Sequence, residues 1–203
     1  MKLTKQILLS VMLFLVSGLM LRAQTYKEQY MKCSEIMKGI GIQDTSFFTQ
    51  KIKMYDCLIG SNAPNFSVKA LNGQMLELSK LKGQVVVVNF WNTGCKPCIS
   101  EMPTLNEIAE KYKDKNVTFI SIAPEEDDLI RAFLNKRSFN FIPVANARKL
   151  IVEDFLTESM YPYSMIIDKN GKVRKILLGG TDNKEKTFKQ FLPSIDECLS
   201  QKG

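Results

Sequence analysis

The chain has 203 residues and no histidine, with 28 Lys and Arg against 21 Asp and Glu for a formal charge of +7. Without histidine there is no Ser-His or Cys-His nucleophile pair, which removes most hydrolase chemistry, and the five cysteines are too scattered to supply the roughly four Cys and His ligands of a zinc site. The cations are spread along the chain rather than gathered into a stripe, so nucleic-acid binding is not expected.

Residues 1–23 read as a secretory signal peptide. Lys2 and Lys5 make a basic start, and residues 7–21 are apolar apart from Ser10, Ser17 and Gly18. Ala23 supplies a small residue for cleavage, although Leu21 is larger than the A-x-A pattern wants. The apolar run of 15 residues is shorter than the about 20 that span a bilayer. A cleaved leader is therefore expected, with an uncleaved membrane anchor as the alternative. No cysteine ends the run, so a lipidated N-terminus is not supported. Without Lys2, Lys5 and Arg22 the formal charge falls to +4. The expected location is outside the cytosol, in the periplasm, where stray thiols pair and a dithiol persists only if a partner keeps reducing it.

Residues 24–57 are expected to form a helical N-terminal extension. Tyr26, Tyr30, Cys33 and Met37 recur at helical spacing. Gly39-Ile40-Gly41 breaks the pattern, and Asp44 or Thr45 can cap a second helix through Phe48, Ile52 and Tyr55. Cys33 and Cys57 would otherwise be lone thiols in an exported protein, which makes them a candidate structural disulfide. The alternative is two small buried hydrophobes.

From Gly60 the pattern changes to short strands and helices. Residues 66–70 and 74–78 flank Asn72-Gly73, a strong hairpin signal. Residues 85–91 are nearly all apolar, as suits a strand buried on both faces. That strand leads through Asn92-Thr93-Gly94 to Cys95-Lys96-Pro97-Cys98. A helical pattern follows in Ile99, Met102, Leu105, Ile108, Ala109 and Tyr112, which Pro103 is expected to kink. Residues 117–123 read as a strand, 127–136 as a helix, 141–144 as a short strand and 148–155 as a short helix. Residues 163–168 and 172–178 are strands around the turn Lys169-Asn170-Gly171. The closing helix, residues 184–200, puts Phe188, Phe191, Leu192, Ile195, Cys198 and Leu199 on one face, so Cys198 is expected in the core. Strands alternating with helices, then a hairpin and a last helix, predict an α/β fold with a mixed central sheet flanked by helices.

A Cys-x-x-Cys at a strand-to-helix junction is a redox motif with a mechanism. The partial positive charge at the helix N-terminus stabilises a thiolate on Cys95, and Lys96 adds a cation beside it. Cys98 lies one turn inside, close enough to close a disulfide. The competing readings are half of a zinc site and a purely structural pair.

Four segments together give a resemblance to a known family. They are Gly60-Ser61-Asn62-Ala63-Pro64-Asn65-Phe66, Val88-Asn89-Phe90-Trp91 leading into the cysteine motif, Glu101-Met102-Pro103, and Tyr161-Pro162-Tyr163-Ser164-Met165-Ile166-Ile167-Asp168. With them, residues 58–203 resemble the thioredoxin superfamily, and within it the exported TlpA/ResA-like thiol–disulfide oxidoreductases. The resemblance implies a thioredoxin-like fold with Cys95 as nucleophile and Cys98 as resolving cysteine. It implies a cis peptide bond at Pro162, facing the active-site disulfide and exposing the backbone of Tyr161 to an extended client. A cis bond is a minority state, and an ordinary trans proline at a strand start is the alternative.

Glu101 matches an acidic residue of the ResA-like branch. It shares a helix face with Cys98, where a buried carboxylate can accept or tune the resolving thiol's proton. A solvated helix charge is the other reading. Tyr161, Trp91, Lys96 and Pro97 are the candidate client-contacting residues, although Trp91 suits a core aromatic equally well. Two positions depart from the family pattern. Asn89 stands where many thioredoxins carry a buried aspartate, which shifts proton management to Glu101. Gly94 precedes Cys95 where an aromatic residue is common, which leaves the loop less covered.

The function so implied is thiol–disulfide exchange on exported proteins, as a reductase acting on disulfide-bearing clients such as apocytochromes, with an oxidase or isomerase role as the alternative because Lys96-Pro97 does not settle the direction. A membrane-bound thiol donor would re-reduce it, and no cofactor or metal is implied. A thioredoxin-fold peroxidase is the first rival. Asn92 rather than Thr lies three positions before Cys95, and no suitable proline precedes it. A client-binding module in which redox is secondary is the second, and copper carriage is weakened by the missing histidine.

Overall fold

A computed structural model describes residues 25–157 and 160–201. The expected signal peptide, residues 1–23, lies outside the described residues. Strand β3 (Val85–Phe90) is the centre of the molecule because every one of its residues is buried. Such a strand must have a neighbour on each side and a layer on each face. Its parallel neighbour is β4 (Val117–Ile122), which in turn pairs with β5 (Ile142–Val144). On the other side β3 pairs antiparallel with β6 (Tyr163–Ile167), and β6 with β7 (Val173–Leu178). The five-stranded order is β5-β4-β3-β6-β7. Pro143 sits in β5 at the sheet edge, where a missing backbone donor costs least.

Alternation along β3 divides the core in two. Val86, Val88 and Phe90 face one cluster, and Val85, Val87 and then Trp91 face the other. The second face is covered by α3 (Lys96–Lys111), α4 (Asp127–Leu134) and α5 (Lys184–Ser200) through residues such as Leu105, Ile130 and Phe191. The first face is covered by the N-terminal helices α1 (Tyr26–Ser34) and α2 (Phe47–Asp56), which contribute Tyr26, Met54 and Tyr55. The mixed sheet flanked by helices is the architecture expected from the sequence, and the N-terminal helices share the sheet's core.

Local chemistry explains the element ends. Thr25 and Glu28 form a reciprocal capping box at α1. The β1 (Ser67–Lys69) and β2 (Met75–Glu77) hairpin turns at Gly73, whose φ of +89° suits glycine. At the second turn Asp168 accepts from the backbone N–H groups of Asn170 and Lys172, both at 2.9 Å. Helix α3 runs through Pro103 from Lys96 to Lys111. Cys198 is buried, and burial pushes its thiol up to about 11.

One local expectation needs correction and another is refined. Helix α2 begins after Ser46, without a side-chain cap, and Asp44 instead accepts from the Ser46 backbone N–H at 2.7 Å. Asp44 therefore shapes the turn ahead of the helix. The helix expected over 148–155 is present over 148–154, and its last five residues, Leu150–Asp154, are wound as a π helix. Its wider winding turns Leu150, Ile151 and Phe155 into the core together.

Cys33 and Cys57 are joined in a disulfide with 5.8 Å between their Cα atoms, within the normal range. Gln29 Nε2 donates to the Cys57 carbonyl at 3.2 Å beside it. Replacing both cysteines with serine is expected to lower stability by about 3.5 kcal/mol, the value for a loop of this length. Urea denaturation checks this, and an unchanged midpoint would assign the bridge no stabilising role.

Candidate active site

The end of β3 and the start of α3 are joined by five residues, 91–95. Asn92 folds this loop by accepting from the Gly94 N–H at 3.0 Å through its side chain and from the Cys95 N–H at 3.1 Å through its carbonyl. Glu125 holds it from outside. Its Oε1 accepts from the Thr93 backbone N–H at 2.7 Å and from the Thr93 hydroxyl at 3.0 Å. Glu125 was not legible as a functional residue, because Glu125-Glu126-Asp127-Asp128 reads as an acidic helix start. Glu125→Ala removes two charge-assisted hydrogen bonds and is expected to cost about 2 kcal/mol. Glu125→Gln retains an acceptor and should cost less, and thermal unfolding distinguishes the two.

Cys95 is the N-cap of α3 and Pro97 occupies its first turn, where a missing N–H is tolerated. Cys95 Sγ accepts from the Cys98 backbone N–H at 3.2 Å. An unpaired helix-end donor thus points at the sulfur that would carry the thiolate charge. The two cysteines are joined in a disulfide, with Cα atoms 5.3 Å apart. Their environments differ: Cys95 is half-buried, Cys98 is 1 % exposed, and Lys96 and Pro97 are exposed. An incoming thiolate can reach the first sulfur and not the second.

The peptide bond between Tyr161 and Pro162 is cis. The Pro162 carbonyl accepts from the Gly179 N–H at 2.9 Å, tying this bend to the end of β7. Tyr161 is partly buried against both core clusters. Trp91 requires a correction: at 1 % exposure it packs against Phe133 and Phe139. A client cannot touch it, so it supports the loop from below.

Between α3 and the sheet lies a short polar network in a largely apolar core. Glu101 on α3 is 4 % exposed, and its Oε1 accepts from Asn89 Nδ2 at 3.1 Å. Asn89 Nδ2 also donates to Ser164 Oγ at 2.9 Å. Burial pushes the Glu101 carboxyl up to about 8, opposed in part by the Asn89 hydrogen bond. The solvated-charge reading of Glu101 is therefore excluded. Asn89 serves as the donor that orients Glu101.

Gly180 was also missed. A Cβ placed there would lie 2.8 Å from each of Glu101 Oε2, Pro162 Cγ and the Pro97 carbonyl oxygen. The motif turn, the cis-proline ring and the buried carboxylate meet at this residue. Cys33 and Cys57 lie apart from this centre, on the N-terminal helices. Among the described residues no cluster of three or more His, Cys, Asp or Glu is placed to hold a metal ion.

An accessible sulfur at a helix start, a sealed partner sulfur and an adjacent cis-proline on this sheet define a thiol–disulfide oxidoreductase of thioredoxin-like fold. Comparison with known proteins agrees. Residues 59–176 match the AhpC/TSA family, and the chain belongs to that family. It is 42 % identical over 134 residues to the thiol-disulfide oxidoreductase ResA of Bacillus thuringiensis (strain Al Hakam), covering 66 % of this chain and 75 % of the relative. It is 37 % identical over 130 residues to the thioredoxin-like protein YneN of Bacillus subtilis (strain 168), covering 62 % and 75 %. Among solved structures, a candidate thiol:disulfide interchange protein DsbE from Chlorobium tepidum superimposes with a TM-score of 0.60. It is 27 % identical and covers 68 % of this chain and 97 % of its own.

Proposed function

We propose that the protein is an exported protein-disulfide reductase working through the Cys95/Cys98 couple. The observation that carries this reading is the asymmetry of the two sulfurs, one reachable and at a helix N-terminus, the other sealed and one helical turn before a buried carboxylate. The Cys95 thiolate attacks a client disulfide and forms a mixed disulfide. Cys98 then attacks Cys95 Sγ, expelling the client thiol and closing the internal disulfide. The client lies extended along Tyr161, next to cis-Pro162, with Lys96 and Pro97 at the exposed rim.

Glu101 supplies or removes the Cys98 proton. Near neutral pH in the oxidised protein it is mainly protonated, since its carboxyl titrates at about 8. It is then poised to protonate Cys98 as that sulfur leaves during re-reduction by a thiol donor. By microscopic reversibility its carboxylate accepts the same proton when Cys98 attacks.

Export is supported by the basic and apolar residues 1–23 and by the Cys33–Cys57 disulfide, a bond that persists in oxidising compartments. Residues 24–57 then form an addition to a thioredoxin-like unit of residues 58–203. Clients would be disulfide-bearing exported proteins, apocytochromes among them, and the donor a membrane-bound thiol protein. The measured reduction potential of Cys95/Cys98 tests the direction. A value near the roughly −270 mV of thioredoxin fits a reductase, whereas one near the about −120 mV of a strong oxidant would reverse it.

The family match favours one second reading, a peroxidase. It requires Cys95 to turn over hydrogen peroxide with a thiol donor. Peroxide turnover without reduction of insulin disulfides would replace the reductase reading.

A further inference from the structure

Gly179 and Gly180 are adjacent glycines present for different reasons. Gly179 has φ +73° with nothing near its missing side chain, so the backbone conformation requires it. Gly180 is absent from the left-handed region, and its requirement is steric. The three atoms 2.8 Å from its would-be Cβ are a carboxylate oxygen, a proline ring carbon and a backbone carbonyl oxygen. The latter two belong to parts of the chain that cannot swing aside. The position is itself held in place, because the preceding Gly179 N–H is bonded to the Pro162 carbonyl.

This arrangement separates the two oxygens of Glu101. Oε1 faces the sheet and is capped by Asn89 Nδ2. Oε2 faces Gly180, which is partly exposed.

We propose that Gly180 is the solvent port of Glu101: without a side chain there, Oε2 lies directly against the partly exposed backbone of residue 180, and the Cys98 proton enters and leaves the protein on that side. The proposal rests on the reading that Glu101 exchanges a proton with Cys98. In the resolving step the Cys98 thiol gives its proton to the Glu101 carboxylate. The Cys98 thiolate forms a bond to Cys95 Sγ, and the bond from Cys95 to the client sulfur breaks, its electron pair leaving with the client. Glu101 passes the proton to water at Gly180, and the client thiolate takes one up from solvent. Re-reduction by a thiol donor runs the same transfers backwards. Gly180 is thus a positioning residue that acts through Glu101 rather than a catalytic one.

The test is a double-mutant cycle of Gly180→Ala and Glu101→Gln. The readout is the single-turnover reduction of the oxidised protein by a small dithiol, per donor thiolate, between about pH 5 and pH 10. Gly180→Ala is expected to slow the wild-type reaction by about 10-fold or more and to displace its pH inflection upward, because a methyl group further desolvates Oε2. In the Glu101→Gln background the same substitution should add no slowing. Equal slowing in both backgrounds would make Gly180 merely structural, and a wild-type profile in Gly180→Ala would remove the port. If Glu101→Gln alone keeps the wild-type profile, the proton role of Glu101 fails, and the port with it.

Infrared spectroscopy of the wild-type protein gives a second readout that needs no folded alanine variant. The carboxyl band of protonated Glu101, assigned with Glu101→Gln, should shift within mixing time on transfer to deuterium oxide. Exchange as slow as that of the core amides would overturn the port.

Discussion

Cys95→Ser is expected to abolish reduction of insulin disulfides, lowering the rate by roughly 10³-fold or more, since removal of an attacking nucleophile leaves only background catalysis. Cys98→Ser should behave differently. Its Cys95 still attacks, but no second thiol resolves the product, so a covalent complex with the client accumulates on non-reducing gels. The difference follows from accessibility. Cys95 is half-buried at the start of α3 and receives the Cys98 backbone N–H at 3.2 Å, while Cys98 is sealed. The ordering of roles would be reversed if Cys95→Ser, rather than Cys98→Ser, trapped the client.

Glu101→Gln has two expected consequences, one kinetic and one thermodynamic. In the wild-type protein the rate of re-reduction, counted per donor thiolate, should fall as pH rises through about 8, where the carboxyl loses its proton. Glutamine cannot donate that proton, so the variant should be about 10²-fold slower below the inflection and nearly flat across it. A profile identical to wild type would remove Glu101 from the proton pathway.

Stability changes in the opposite sense. The folded carboxyl is raised from 4.5 to about 8, so between these values the folded state holds a proton that the unfolded chain has released. Its contribution is fully present below the lower value and is lost as pH rises toward the upper one. Each unit of displacement corresponds to about 1.4 kcal/mol, so the buried carboxylate costs several kcal/mol above the inflection. Glu101→Gln should therefore gain on the wild type in urea denaturation as pH increases. A constant difference between the two proteins across pH would show that the carboxyl titrates normally.

Legibility of the site depended on distance along the chain. Cys95, Lys96, Pro97 and Cys98 fall within four residues, between a nearly all-apolar strand and a periodic helix, so their placement at a helix start follows from local pattern alone. Glu101 could be placed on the Cys98 face by helical spacing, but not its burial, which depends on Asn89 and on the segment after β7. Ser164 is 75 residues from Asn89, and Glu125 is 32 residues from the Thr93 it holds. No periodicity links such pairs. The π turn at Leu150–Asp154 was missed for a related reason, since its winding answers to the core beneath it rather than to propensity.

The amino-acid order by itself determined which segments are strands and helices, that the fold is a mixed α/β sheet, and that two sulfurs sit at one helix start. Those properties arise from hydrophobic periodicity, capping and turn chemistry, all of which act within a few residues. Only the tertiary structure decided that Trp91 is out of reach, that Glu101 is buried and held by Asn89, and that Gly180 closes the circle between Pro97, Pro162 and the carboxylate. Burial and close approach are set by segments that meet only when the sheet is assembled, and the energies that tune a carboxyl or exclude a methyl group do not exist before it is.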